Sequence, residues 1–147
     1  MFHHLGIDPG KTGGATILDG EGNIVAKFGF TKKTDHDISE WIRDQTKGRK
    51  VIAYIERVSS SPKMGVVSAF SFGRSFGMLV GLLTGLKVSF DFVSPAVWQR
   101  RLGCLTRGDK NVTKSKAQRM YPEEKNITHA TADSILIARF CYQFGLK

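Results

Sequence analysis

The hydrophobic and polar positions of this chain alternate between short apolar runs and longer segments with helical periodicity. Apolar runs bounded by turn residues predict strands at residues 2–8, 13–18, 24–30, 50–56 and 87–93. Apolar spacing and capping residues predict helices at residues 35–46, 63–85, 95–102, 113–121 and 129–144. Three strands joined by short turns form an antiparallel meander, and the strand–helix–strand order that follows indicates parallel crossovers. We therefore predict an α/β fold with a mixed five-stranded sheet flanked by helices, in one domain spanning residues 1–147.

Some local details of these elements can be predicted as well. Asp35 or Asp37 is expected to cap the first helix, and Thr113 to cap the helix at 113–121. Residues 50–56 are apolar without alternation, which is typical of a central strand. In this order the ends of the first and fourth strands lie side by side.

Acidic residues border three of the apolar elements. Asp8 ends the first strand, Glu56 ends the fourth, and Asp133 stands at the start of the apolar run 132–138. Taken singly, they could be a turn residue, an exposed strand end and a helix cap. A carboxylate beside a buried element is costly unless a positive group meets it. Together the three predict a site for Mg²⁺ or Mn²⁺, where two ions could clamp the attacking water and the leaving oxygen of a phosphodiester.

His129 lies one helical turn before Asp133, so both side chains can project from the same face. It could bind the second ion, act as a general base or balance leaving-group charge. The alternative is an N-terminal helix residue without a role.

The net charge of the chain and its distribution indicate the class of substrate. The 147 residues carry a formal net charge of +9, which favours nucleic acid or an anionic surface as a partner. Only Asp109 opposes a run of basic residues between positions 100 and 119, so a surface that follows phosphates is favoured over a merely solvated helix. The basic residues of that run are Arg100, Arg101, Arg107, Lys110, Lys114, Lys116 and Arg119.

Other features narrow the class of protein. Cys104 and Cys141 lack metal-type spacing, which indicates free thiols in a reducing compartment. No secretory signal is recognisable, and Arg74 with several serines argues against a membrane span at residues 64–86. Gly6 to Thr12 imitates a phosphate-binding P-loop, but one residue is missing and an acid stands where phosphate would bind. We therefore expect neither a membrane partner nor a small-molecule substrate.

Small residues recur at every fourth position of the long predicted helix: Gly65, Ala69, Gly73, Gly77, Gly81 and Gly85. Each glycine inside a helix costs about 1 kcal/mol relative to alanine, and close approach of another backbone would offset this. The ridge could pack on the protein's own sheet or form a subunit interface. Both interpretations are open.

Several motifs resemble RuvC-type Holliday-junction resolvases, most of all the short bacteriophage branch of that family. The resemblance covers nearly the whole chain and lies in Gly6-Ile7-Asp8-Pro9-Gly10, Ile55-Glu56, Pro95-Ala96-Val97-Trp98-Gln99, Lys114-Ser115-Lys116 before Tyr121-Pro122, and residues 132–138. It implies an RNase H-like fold and a homodimer. It also implies Mg²⁺-dependent cutting of four-way DNA junctions by paired symmetric nicks, in the cytoplasm of a phage host.

The resemblance also implies roles for individual residues. Asp8, Glu56 and Asp133 match the family's carboxylates, with Asp8 bridging two ions. His129 matches a fourth ligand, although it precedes the last aspartate by four residues rather than three. Lys116 or Lys114 would stabilise charge on the phosphate. The expected DNA contacts are Arg57, Lys63, Arg100, Arg101, Arg107, Lys110, Lys114 and Lys116.

One departure from the family widens the range of functions. Bacterial members carry an aromatic residue in the loop after the second carboxylate, and residues 57–64 contain none. Activity on a broader set of branched DNA is therefore plausible. The alternatives are an RNase H-like nuclease acting on flaps or RNA–DNA hybrids, and a junction-binding protein that does not cleave.

Overall fold

A mixed five-stranded sheet forms the centre of the molecule. The computed structural model describes residues 1–57 and 61–145. The strands are β1 (His3–Asp8), β2 (Gly14–Leu18), β3 (Ile24–Gly29), β4 (Val51–Glu56) and β5 (Ser89–Val93). Their order is β3-β2-β1-β4-β5, antiparallel through β3, β2 and β1 and parallel through β1, β4 and β5. The predicted fold class is confirmed.

Helices cover both faces of the sheet. They are α1 (Asp35–Thr46), α2 (Val66–Gly85), α3 (Pro95–Arg101), α4 (Asn111–Met120) and α5 (His129–Phe144). Alternation along β4 separates two layers of core. Ala53 and Ile55 pack with residues of α1 and α2, while Ile52 and Tyr54 pack with residues of α3, α4 and α5. Glu56 continues the second series, so its side chain lies on the α5 face.

Two glycines allow α5 to lie directly on the sheet. A Cβ atom at Gly6 would stand 2.1 Å from the backbone nitrogen of Ala138, and one at Gly14 would stand 2.5 Å from the carbonyl oxygen of Ala130. A buried hydrogen bond of 2.8 Å between the hydroxyls of Thr16 and Ser134 fixes the same contact. The close approach brings the first turns of α5 over the end of β1.

Two helix starts and the cap of a third helix differ from the prediction. Thr34, not Asp35 or Asp37, caps α1, because its hydroxyl accepts from the Asp37 amide while the Asp37 carboxylate accepts from the Thr34 amide. The predicted cap at Thr113 is wrong. Lys110 is the N-cap of α4, and Thr113 is buried within the first turn. Helix α2 begins at Val66, three residues later than predicted.

The glycine ridge of α2 does not pack on the sheet. Cβ atoms at its glycines would meet nothing within 4 Å. Instead, α2 contacts the core through Leu79 and Leu83, on another side of the helix. Of the two open interpretations, packing of the glycines against the protein's own sheet is therefore excluded. Helix α2 is long and apolar enough to cross a membrane by length and composition alone. Only 11% of its most apolar stretch is buried inside the protein, so α2 is not a core helix.

Candidate active site

Three carboxylates converge at one end of the sheet, on the face covered by α5. Parallel pairing of β1 with β4 aligns Ile7 with Ile55, so Asp8 and Glu56 follow as neighbours. Gly6 contacts α5, and Asp8 shares its face because side chains two residues apart point the same way. Asp133 lies in the second turn of α5, which Gly14 admits above the end of β1. The sequence-based expectation that Asp8 and Glu56 are neighbours is confirmed.

Burial and mutual repulsion favour the neutral forms of these acids. Burial raises the pKa of Asp8 well above its usual range, and the charges of Glu56 and Asp133 raise it further against the effect of Lys110. Burial raises the pKa of Glu56 to about 7. Burial also raises the pKa of Asp133, opposed by a hydrogen bond from Thr113 and by the charges of Lys110 and His129. The positive charges of Lys110 and His129 therefore offset the effect of burial only in part.

Glu56 has one direct hydrogen-bond partner among the described residues. The indole Nε1 of Trp98 donates to Glu56 Oε2 at 2.7 Å in a buried contact. Trp98 is fully buried in α3, which follows β5, the strand next to β4. The hydrogen bond lowers the pKa of Glu56 against the larger effect of burial, so it supports the ionised form.

A cleft of about 800 Å³ opens beside the carboxylates. Asp8, Asp133 and His129 line it, together with Lys110 from the cap of α4. Polar groups of two loops, including Thr12 and Thr31, complete its wall. His129 and Lys110 are exposed at the cleft. The predicted proximity of His129 to Asp133 is confirmed, since its charge also lowers the pKa of that acid.

The other predicted cations lie outside the cleft lining. Lys116 lies near Cys104, whose pKa it lowers against the larger effect of burial. Arg101 stacks on Phe144 at 5.0 Å, at the end of α5 remote from Asp133, and Arg57 stacks on Phe92 at 5.2 Å. The described lining of the cleft includes none of the remaining predicted cations. Of these, three are exposed, Lys63, Arg100 and Arg107, and Lys114 is half-buried. In the loop after Glu56, residues 58–60 lie outside the described residues.

Comparison with known proteins addresses the fold. No protein-family model matches the sequence, and no curated protein sequence matches it. A solved structure of T. thermophilus RuvC in complex with Holliday junction substrate matches with a TM-score of 0.70 at 15% identity, covering 97% of this chain and 96% of that chain. The chain has the RuvC fold. A second Thermus thermophilus RuvC structure agrees, with a TM-score of 0.66 at the same identity and coverage.

Three residues adjoin the carboxylates in this fold in ways that the sequence did not indicate, although Lys110 was already predicted as a DNA contact. Trp98 binds Glu56, Thr113 bonds to Asp133, and Lys110 faces both Asp8 and Asp133. A buried tryptophan needs an acceptor for its N–H, so the pairing of Trp98 with a buried acid was a usable signal. Thr113 and Lys110 could not be placed, because the start of α4 was predicted two residues too late.

The donor set of these three acids suits a hard divalent cation. Asp8, Glu56 and Asp133 offer carboxylate oxygens, and none of them forms a salt bridge with the described residues. Such oxygens are the ligands that Mg²⁺ and Mn²⁺ prefer. Among the described residues, however, no group of three acidic, histidine or cysteine side chains is arranged as a ready metal cage. The Glu56 carboxylate points instead to Trp98, so metal binding requires it to reorient or to act through one oxygen.

Proposed function

We propose that this chain is a divalent-metal-dependent endonuclease that cuts four-way and related branched DNA by paired symmetric nicks. The observation that carries the proposal is the convergence of Asp8, Glu56 and Asp133 from β1, β4 and α5 at one edge of a RuvC fold. The buried, mutually repelling carboxylates need a cation, and the net charge of +9 favours a polyanionic substrate. We assign the activity to one nuclease domain over residues 1–147, acting in the cytoplasm of a host cell if the chain is phage-encoded.

In this proposal Asp8, Glu56 and Asp133 hold Mg²⁺ or Mn²⁺, two ions per site, and His129 is a fourth ligand or a proton acceptor at the cleft. The ions would polarise the phosphodiester and lower the pKa of a water molecule. The charges of both Glu56 and Asp133 raise the pKa of Asp8, so Asp8 lies near both acids and could share ligation with each of them. Trp98 would orient Glu56 and favour its ionised form against the larger effect of burial.

Cations of the chain would then bind the substrate. Lys110 lies at the cleft beside Asp8 and Asp133, where its ammonium can meet the scissile phosphate. We assign to Lys110 the charge-stabilising role that the motif resemblance implied for Lys114 or Lys116. Lys114, Lys116, Arg57, Lys63, Arg100, Arg101 and Arg107 would contact the DNA backbone farther from the cut, which carries little sequence information.

The proposal includes a homodimer, because paired symmetric nicks in a four-way junction need two active sites related by symmetry. The glycine ridge of α2 supports it. Gly73, Gly77 and Gly81 leave open space over a mainly exposed apolar helix, which a second copy of the helix could approach closely. Val66, Val67 and Phe70 extend the exposed apolar surface at the start of α2.

The test is incubation of purified protein with an end-labelled synthetic four-way junction, with Mg²⁺ or with EDTA, beside an Asp8→Asn variant. We expect paired nicks that require both Mg²⁺ and Asp8. Competition with flap and RNA–DNA hybrid substrates measures selectivity. A hybrid cut faster than the junction would replace the proposal with an RNase H activity, and a junction that is bound but never cut would replace it with a binding function.

A further inference from the structure

A second cavity, of about 580 Å³, lies beside the cleft on the other side of the β1–β2 loop. Its floor contains the buried core residues Phe30, Ile38 and Leu79. Ser71 and Ser75 of α2 contribute hydroxyl groups to its wall. Four basic side chains from three separate segments line it: Lys11, Lys32, Lys33 and Arg74.

The positive charge of this cavity is largely unneutralised. Asp35 is the one carboxylate among its lining residues, and it is already paired with Arg74. Lys11, Lys32 and Lys33 form no salt bridge with the described residues. The ammonium of Lys33 lies 5.4 Å from the centre of the Phe28 ring, which leaves its charge available. Converging cations without a counter-charge make a concave surface that attracts anions.

The backbone at Lys32 is held in an unfavourable conformation. Its φ of 61° lies in the left-handed region, at the third position of a turn closed by the Lys33 amide and the Phe30 carbonyl at 3.0 Å. Glycine or asparagine is the usual residue at such a position. A lysine there is less stable than glycine, and strain of this kind is typical of functional positions. Replacing Lys32 with glycine would therefore relieve this conformation.

The cavity and the cleft share a wall. Thr12 and Thr31 line the cleft, while their chain neighbours Lys11 and Lys32 line the second cavity. The β1–β2 loop and the β3–α1 loop therefore present one side to the carboxylates and the other side to the basic cavity. A polyanionic chain that crosses these two loops passes from one site to the other.

We propose that this cavity binds a backbone phosphate of the DNA strand that enters or leaves the cleft, through Lys11, Lys32, Lys33 and Arg74. The inference rests on the proposed function and adds a second phosphate site to it. Ser71 and Ser75 can donate hydrogen bonds to the same phosphate. Because these groups reach only the backbone, the site holds the strand in position without reading its sequence.

The test is the affinity for a labelled four-way junction in EDTA, measured over a range of salt concentrations. The variant is Lys32→Ala with Lys33→Ala. Its matched control is Lys47→Ala with Lys50→Ala, which removes the same charge at the opposite end of α1 from exposed positions. We expect the variant to bind about 10-fold more weakly at 0.1 M salt. The slope of log K against log salt concentration should become less negative by about 1 to 2. A variant that behaves like its control would overturn the inference.

A single substitution separates binding from folding. Lys32→Gly removes the cation and also relieves the left-handed backbone, so we expect a higher melting temperature together with weaker junction binding. A purely structural role for the residue predicts unchanged binding. That result would contradict the inference even in a fully folded protein.

Two further outcomes are informative. The binding of inorganic phosphate can be measured against chloride at equal ionic strength. If phosphate binds wild type but not the double variant, and both proteins bind the junction with equal affinity, the cavity takes free phosphate and not a DNA strand. If wild type fails to bind any branched DNA, the proposed function fails. If wild type binds and cuts while the double variant does so equally well, only the second phosphate site fails.

Discussion

The indole N–H of Trp98 and the carboxylate of Glu56 form a buried hydrogen bond of 2.7 Å at the edge of the candidate active site. They lie 42 residues apart in the chain. The contact links α3 to the end of β4 and supplies the one direct donor to this acid among the described residues. It supports an ionised Glu56 in surroundings that otherwise favour the neutral acid.

Trp98→Phe should therefore change the acid–base behaviour of the site. Without the indole N–H the pKa of Glu56 rises further above 7, so cleavage should need a higher pH than in wild type. The unpaired buried acceptor should also lower the free energy of unfolding by about 1–3 kcal/mol. The pH–rate profile for junction cleavage and thermal unfolding measure the two effects.

Trp41→Phe is the matched control, since Trp41 is the chain's other tryptophan and stacks on Phe28 in the opposite layer. It should leave the pH–rate profile unchanged. Superimposable profiles for Trp98→Phe and wild type would show that Trp98 does not position Glu56.

The stability of the metal-free protein should fall as pH rises. The pKa of Glu56 is about 7 in the folded protein and near 4.5 when unfolded, so folding takes up a proton between these values. Its contribution is fully present below pH 4.5 and is lost as pH rises through 7, with a magnitude of about 3 kcal/mol. Asp8 and Asp133 act in the same direction. Thermal unfolding in EDTA from pH 4.5 to pH 8 measures the loss.

Glu56→Gln should reduce this pH dependence, because glutamine does not ionise and can still accept from Trp98. Glu21→Gln, at an exposed turn residue, should retain it. Adding Mg²⁺ or Mn²⁺ at pH 8 should restore stability to wild type and much less to Glu56→Gln. If the stability of Glu56→Gln fell with pH as steeply as that of wild type, the pKa of Glu56 would not be strongly raised in the folded protein.

The sequence was informative where local rules determine the arrangement. Asp8 and Glu56 could be paired in advance because a meander followed by a right-handed crossover places β4 beside β1. The bounds of α5 at residues 129 and 144 were also predicted correctly, since the apolar periodicity marks them. The first feature follows from the order of the elements, and the second follows from periodicity within one segment.

Contacts between distant segments were harder to predict. The cleft contains Lys110 rather than Lys116, which depends on how the loop before α4 sets the rotation of that helix. The sequence also could not show which surface the α2 glycines face, because periodicity identifies a row of glycines but not their surroundings. The basic cavity joins Lys11, Lys32 and Arg74 from three segments without a shared motif.

Gly6→Ala should disrupt the fold beneath the active site. The added methyl group would stand 2.1 Å from the backbone nitrogen of Ala138 and 2.5 Å from the carbonyl oxygen of Ser134, so α5 would have to move away from β1. We expect a loss of about 3 kcal/mol or more in unfolding free energy, together with loss of cleavage as Asp133 moves. Chemical denaturation with the variant and wild type at equal concentrations measures it. An unchanged midpoint would contradict the close helix–strand contact.

Gly77→Leu should separate the oligomeric state from the stability of the subunit. Nothing lies within 4 Å of a Cβ at Gly77, and leucine is a better helix former than glycine by nearly 1 kcal/mol, so the isolated subunit should become slightly more stable. If two copies of α2 meet along the glycine ridge, the bulky side chain holds them apart, and sedimentation equilibrium should show monomers. Gln118→Leu, which adds leucine at an exposed position of α4, should leave the dimer intact. A dimer of unchanged affinity in Gly77→Leu would place the interface elsewhere.

Paired nicking should decline to single nicks in the same variant, because each junction would then meet one active site at a time.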